Sequence, residues 1–162
     1  PRPAQEIWNY QQIGLGFNYR MTDIHAVLGL NQMKRLDEFV SRRNYIARRY
    51  NQMFADLPVI CPYLHADAYS SFHLYIICLQ LDKIGKSRRQ VYDELIAAGI
   101  LVNLHYIPVY RQPYYEKMGF KPGYCPEAER YYSETFSLPM YPGLNDAQQD
   151  RVASIIRGII SE

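Results

Sequence analysis

The sequence predicts a two-layer α/β sandwich: a small sheet, at least partly antiparallel, covered by helices on one face. Three observations predict it. Apolar residues recur every three or four positions from Ile24 to Leu57, which is a helical period. The stretch SSFHLYIICLQL, 70–81, is apolar on both faces in its middle, as a central strand is. Helix-like and strand-like stretches then alternate to the end, giving helix, strand, helix, strand, helix, strand, helix.

Residues 1–20 show no sustained period and read as an extended lead-in. Residues 21–57 read as one long helix whose stripe is Ile24, Val27, Leu28, Met33, Leu36, Val40, Ile46, Tyr50, Met53 and Leu57. Thr22 or Asp23 can cap its start, because either side-chain oxygen can accept a free first-turn amide. Pro58 forces its end. Such a helix is long for a globular domain, so it is either broken near Ser41 or spans the domain as a spine. Gly29 inside it costs about 1 kcal/mol against Ala, and close packing against another helix is the expected reason.

Residues 58–162 read as a small α/β domain. SRRQVYDELIAAG, 87–99, is a helix with Ser87 and Gln90 at capping-box spacing and Gly99 as its stop. ILVNLHY, 100–106, reads as a strand with Ile100, Val102, Leu104 and Tyr106 on one face. PEAERYYSE, 126–134, reads as a short helix with Pro126 in its first turn, and FSLPM, 136–140, as a short strand. Asn145 caps the last helix with Gln148 three residues on, and Val152, Ile155, Ile156, Ile159 and Ile160 form its buried stripe.

The bulk properties exclude several classes. A chain of 162 residues has room for one core, and 48% hydrophobic residues is usual for a soluble globular protein. A net charge of +2 is too small to argue for nucleic acid or membrane. The pairs Arg42–Arg43, Arg48–Arg49 and Arg88–Arg89 suit solvated helix faces better than a phosphate track. No apolar run approaches the roughly 20 residues of a membrane span, and no signal peptide is visible. Cys61, Cys78 and Cys125 are scattered, which reads as reduced thiols in a cytoplasmic protein, with no disulfide framework or zinc site. Cys61 and His65 are four apart, but no second pair completes a metal site. GLGFNY lacks the third glycine of a dinucleotide fingerprint and has no strand before it. His25, His65, His73 and His105 are scattered, and each taken alone favours a structural role.

The stretch GLGFNYRMTD, 14–23, puts Asn18 and Arg20 into a Gly-bounded turn. An amide and a guanidinium there are good donors to an anion, a phosphate above all. The alternative role for both is to cap the following helix or pair with local acids.

GFNYRMTDIHAVLGLNQMKRLDEFVSRRNYIARRY resembles the start of the C-terminal segment of the DegT-type sugar-nucleotide aminotransferases. The likeness continues through SSFHLYIICL, LVNLHYIPVYRQPYY and CPEAERYYSETFSLPMYPGLND, in the family's order and over nearly the whole chain. The resemblance implies the small C-terminal domain of a fold-type I (aspartate-aminotransferase) enzyme that uses pyridoxal phosphate. HYIPVYRQPYYEKMGF is similar to the branch that aminates UDP-4-keto-6-deoxy amino sugars on the way to pseudaminic acid, for flagellar and surface glycans.

By resemblance, Asn18 donates to the cofactor phosphate or to the substrate of the opposite subunit in a homodimer, and Arg20 adds positive charge there. NLHYIPVY resembles the family's substrate loop, so Asn103, His105, Tyr106 and Tyr110 join the substrate-binding set. Tyr110 stands where several relatives carry His, and Tyr106 alone reads equally as a buried tyrosine at a strand end. His73 also fits a family pattern, but its strand position favours structure.

The family's Schiff-base lysine belongs to a motif that none of Lys34, Lys83, Lys86, Lys117 or Lys121 matches. The chain also opens on Pro1. The resemblance therefore implies a piece of a longer enzyme: residues 1–20 lead in from an absent large domain, 21–57 form the spine helix, and 58–162 form the small domain. Alone it should be inactive, hold no covalent cofactor, and self-associate through apolar surface left bare on the spine. The parent would take a nucleotide sugar, with glutamate as amino donor. The alternative is a stand-alone sugar-nucleotide-binding or regulatory module of the same family.

Overall fold

The computed structural model describes residues 14, 16–17, 19–104 and 106–161. The chain divides into two compact units, Pro1–Leu36 and Asp37–Glu162.

In the first unit, helix α1 runs Asp23–Met33. Thr22 is its cap, and its side chain accepts the His25 amide at 3.3 Å. No residue of α1 is buried, and Ile24, Val27, Leu28, Leu30 and Met33 are all exposed. Among the described residues, a Cβ at Gly29 would meet nothing within 4 Å, so the helix contact expected there is not made within them. The helical segment expected over 21–57 is two helices. The break falls at Lys34–Arg35 instead of near Ser41, where the Arg35 amide bonds back to Gln32 O at 3.0 Å, a tight i−3 closure.

The second unit is built on helix α2, Leu36–Met53, and a three-stranded antiparallel sheet of order β1–β2–β3. The strands are β1 Val59–Ile60, β2 Tyr75–Leu79 and β3 Thr135–Leu138. β2 is central, and Tyr75, Ile77 and Leu79 on one face are fully buried. That face packs on α2, where the Tyr75 ring lies 5.0 Å from Tyr50. Ile46, Ala47, Tyr50 and Phe54 of this region join the same core.

Helix α3, Arg88–Ala97, has the full Ser87/Gln90 capping box and stops at Gly99, with φ +76°. A short 3₁₀ turn, Val109–Arg111, and helix α4, Pro113–Glu116, follow. Helix α5, Pro126–Glu134, runs without a loop into β3. Helix α6, Asp146–Ser161, starts with a reciprocal Asn145/Gln148 pair at 2.9 and 3.0 Å and buries Val152, Ile156 and Ile160. β1, the 3₁₀ turn and α4 carry too few residues for any period to show.

Among the described residues, the expected strand over 100–106 is reduced to one bridge. Asn103 pairs antiparallel with Ser137, by amide bonds of 3.4 and 2.9 Å. Ile100 and Val102 are buried and Leu101 and Asn103 exposed, so the period of two holds there. It ends before Tyr106, which is 75% exposed. In this register Leu101 faces Pro139, which has no N–H for a ladder bond.

Two of the helix-associated glycines, Gly99 and Gly29, predict opposite signs. Gly99→Ala forces a side chain into a left-handed backbone and should cost about 1 kcal/mol or more, read from the urea midpoint. Gly29→Ala, in open space mid-helix, should raise helicity by circular dichroism.

Candidate functional site

Two segments carry the candidate residues, and they lie in different units. In the first, Asn18 lies outside the described residues, while Arg20 is exposed in the irregular stretch before α1. Thr22, not Arg20, caps that helix. Arg20 makes no hydrogen bond or ion pair among the described residues, so its guanidinium is open to an anion. The neighbouring Phe17 and Tyr19 rings stack at 5.5 Å.

In the second segment, His105 lies outside the described residues. Asn103 is held by its backbone to Ser137, and its residue is exposed. Tyr106 is exposed, unlike the buried strand-end tyrosine of the alternative reading. Tyr110 is half-buried, and its hydroxyl is already engaged. It donates to Glu129 Oε1 at 2.5 Å and accepts the Cys125 amide at 3.2 Å. The same Glu129 oxygen accepts the Gly123 amide at 2.8 Å and Arg111 Nη1 at 3.3 Å. Arg111 also reaches Glu116 at 3.4 Å.

This cluster shifts its own acids and bases. Desolvation first, then the bond to Glu129, pushes the Tyr110 phenol above its ordinary value. The bond from Tyr110, then the Gly123 amide, holds the Glu129 carboxyl below its ordinary value. Sequence reasoning missed Glu129 and Arg111. Glu129 is 19 positions from Tyr110, and no helical or strand spacing links them.

The five lysines are engaged with neighbours or exposed to solvent. Lys86 is ion-paired with Glu94 at 2.9 Å, and Lys83 bonds Gln80 at 3.2 Å. Lys34, Lys117 and Lys121 are exposed. The open guanidinium of Arg20 fits a non-covalent contact to a phosphate. Among the described residues, no three of His, Cys, Asp and Glu converge to hold a metal, and no helix is long and apolar enough to cross a membrane.

The model of the DegT/DnrJ/EryC1/StrS aminotransferase family matches residues 2–157. The chain belongs to this family. It is 38% identical over 156 residues to the spore coat polysaccharide biosynthesis protein SpsC of Bacillus subtilis, covering 94% of the chain and 40% of that protein. It is 31% identical over 160 residues to the UDP-4-amino-4,6-dideoxy-N-acetyl-beta-L-altrosamine transaminase of Campylobacter jejuni, covering 96% of the chain and 42% of that enzyme. The solved structure of Spr1654 of Streptococcus pneumoniae, in its PMP-form, superposes with a TM-score of 0.86 at 30% identity, covering 95% of this chain and 39% of that one. The chain thus spans about 40% of the length of the relatives it matches.

The acid sensitivity of the Glu129 cluster follows from its lowered carboxyl. Its stabilisation is complete above the ordinary value of 4.5 and is lost as pH falls through the lowered one. Hydrogen exchange across 109–124, corrected for intrinsic rate, should be flat down to about pH 5 and rise only below about pH 4.5. A rise between pH 7 and 6 would exclude Glu129 as the cause.

Proposed function

We propose that this chain is the C-terminal part of a pyridoxal-phosphate-dependent nucleotide-sugar aminotransferase. The parent enzyme converts a 4-keto-6-deoxy sugar nucleotide to the 4-amino sugar for flagellar or surface polysaccharide, in the cytoplasm, with glutamate as donor. The observation that carries this is the family match over 2–157, together with a 31% identical relative that is a UDP-sugar transaminase. The B. subtilis relative, named for polysaccharide synthesis, supports the same destination.

The chemistry of the residues supports the reading. A sugar nucleotide carries a diphosphate, and the cofactor a phosphate. Both take strong charge-assisted bonds from a guanidinium and from amides. Arg20 supplies the first, and Asn18, two residues earlier, the second. Asn103, His105 and Tyr106 form the segment that meets the sugar nucleotide in this reading, and Tyr110, next along the chain, is tied to Glu129. The Schiff-base lysine comes from outside these residues. Pyridoxal phosphate, when bound, accepts the amino group from one substrate and passes it to the other. The enzyme works as a homodimer in which Asn18 serves the opposite subunit. Residues 1–20 enter from the large domain, 21–57 form the spine, and 58–162 the small domain. This chain by itself is inactive.

The test is the full-length gene product, assayed with UDP-4-keto-6-deoxy sugars and glutamate. Amino transfer with a reducible cofactor absorbance is expected. A full-length protein that binds a UDP-sugar but transfers no amino group to it would favour the non-catalytic module instead. Arg20→Ala should raise the apparent dissociation constant for sugar nucleotide or cofactor at least tenfold, since a charge-assisted hydrogen bond contributes about 1.5–3 kcal/mol and tenfold is about 1.4. Unchanged binding of both would remove Arg20 from the site.

A further inference from the structure

Between Tyr106 and Cys125 the chain leaves the sheet and returns to α5, and not one residue on this excursion is buried. The hydrophobic core therefore does not hold it. Among the described residues, two polar anchors tie it down. Upstream, Asn103 is bridged to Ser137 of β3. Downstream, Glu129 of α5 gathers three donors on one oxygen. Two of those donors, Tyr110 and Arg111, open the excursion, and the third, Gly123, closes it. The carboxylate therefore ties the neck of the loop shut. The Cys125 amide, bonded to the Tyr110 hydroxyl, adds a second tie across the same neck.

The loop body is filled by its own rings. Tyr110 meets Tyr124 at 5.7 Å, Tyr124 meets Phe120 at 5.1 Å, Phe120 meets Tyr115 at 6.4 Å, and Tyr115 meets Tyr114 at 5.2 Å. A self-packed loop of this kind moves as one piece, so its neck decides where it sits.

Glu129 and Ser137 belong to one continuous element, because α5 ends at Glu134 and β3 begins at Thr135. The stretch from Asn103 to Tyr110 is thus strung between two points on the same support. Pro108 stiffens it, with φ −50°, and the Arg111 amide closes a turn on Pro108 O at 2.8 Å. Tyr106 sits mid-span.

We propose that Glu129 is a positioning residue, whose carboxylate fixes the neck of the 110–123 loop and thereby sets where the 103–106 segment meets the sugar nucleotide. Its substrate half rests on the function proposed above. Tyr110 then acts through Glu129 and not by direct contact. The chemical class affected is the nucleotide sugar alone. The amino donor and the cofactor phosphate do not depend on this loop.

The experiment uses the full-length protein with Glu129→Ala, Tyr110→Phe and, as a control on the same helix, Glu127→Ala, whose only partner among the described residues is the exposed Arg130. Glu129→Gln serves as the conservative rescue, since its amide oxygen can still accept from Tyr110 and Gly123. Glu129→Ala should speed hydrogen exchange across 106–124 at least tenfold. It should also raise KM for the sugar nucleotide about tenfold, while the KM for glutamate and the cofactor absorbance stay unchanged. Tyr110→Phe should show the same pattern more weakly, Glu129→Gln should recover most of the loss, and Glu127→Ala should show none. Unchanged exchange overturns the tie at the neck, whatever the activity. Faster exchange with unchanged sugar-nucleotide KM overturns the positioning role. Equal losses for sugar nucleotide and glutamate overturn it as well, because they mark general destabilisation. A wild type that aminates no sugar nucleotide overturns the proposed function and the substrate half of this inference, and the exchange data then judge the tie alone.

Discussion

Tyr50 and Tyr75 meet with ring centres 5.0 Å apart, both fully buried, and the second unit is assembled around that meeting. A buried phenol contributes large apolar area only if its hydroxyl finds a partner. Tyr50 donates to Pro139 O at 3.1 Å, and Tyr75 to Asn51 Oδ1 at 2.5 Å. Each bond reaches a different element, so α2, β2 and the chain leaving β3 are fixed together by two side chains. Burial raises both phenols above their ordinary value, so both remain donors across any working pH. Arg43 reinforces the same junction by donating to the carbonyls of Phe72, His73 and Met140, at the entry to β2 and the exit of β3. His73 takes part through its backbone, in keeping with a structural role.

A rigid core with a coreless excursion is a common division of labour in binding proteins. Here the core ends at Val102 and Leu104, and the chain beyond is held by hydrogen bonds and a self-packed row of rings. Such a segment opens more readily than the sheet it leaves, since exposed polar ties compete with water. It can therefore adapt to a ligand while its two ends remain fixed to α5 and β3.

Local chemistry was legible in the sequence, and long-range chemistry was not. Both capping boxes, Ser87 with Gln90 and Asn145 with Gln148, depend on residues three apart, and both are present. Pro126 marked the first turn of α5, and apolar residues on both faces marked β2 as central. At its Leu101 end the strand expected at 100–106 faces Pro139, a residue far along the chain that has no amide to give the ladder. Tyr110 entered the candidate set by resemblance, but which partner its hydroxyl takes is decided by α5, and no spacing rule could reveal that. Asn18 and His105, the two residues that the family motif makes most specific, lie outside the described residues.

Helices α1 and α2 differ in a way that bears on what surrounds them. In α2 the buried residues Ile46, Ala47 and Tyr50 form a stripe, while Arg42 and Arg49 reach out to α6 and Arg43 to the carbonyls at the ends of β2 and β3. In α1, Ile24, Val27, Leu28, Leu30 and Met33 point in several directions, and all are exposed. A helix apolar around most of its circumference suits burial on several sides, not one. Covering each such side chain contributes about 1.5–3 kcal/mol, so leaving five bare is costly for a chain in water. The relatives are about two and a half times as long as this chain, and in the proposed dimer both the remainder of the parent chain and a second copy can supply that cover. The exposed guanidinium of Arg20, three residues before α1 begins, would then be carried into the same enclosure, where a guanidinium binds phosphate more strongly than it does in open water.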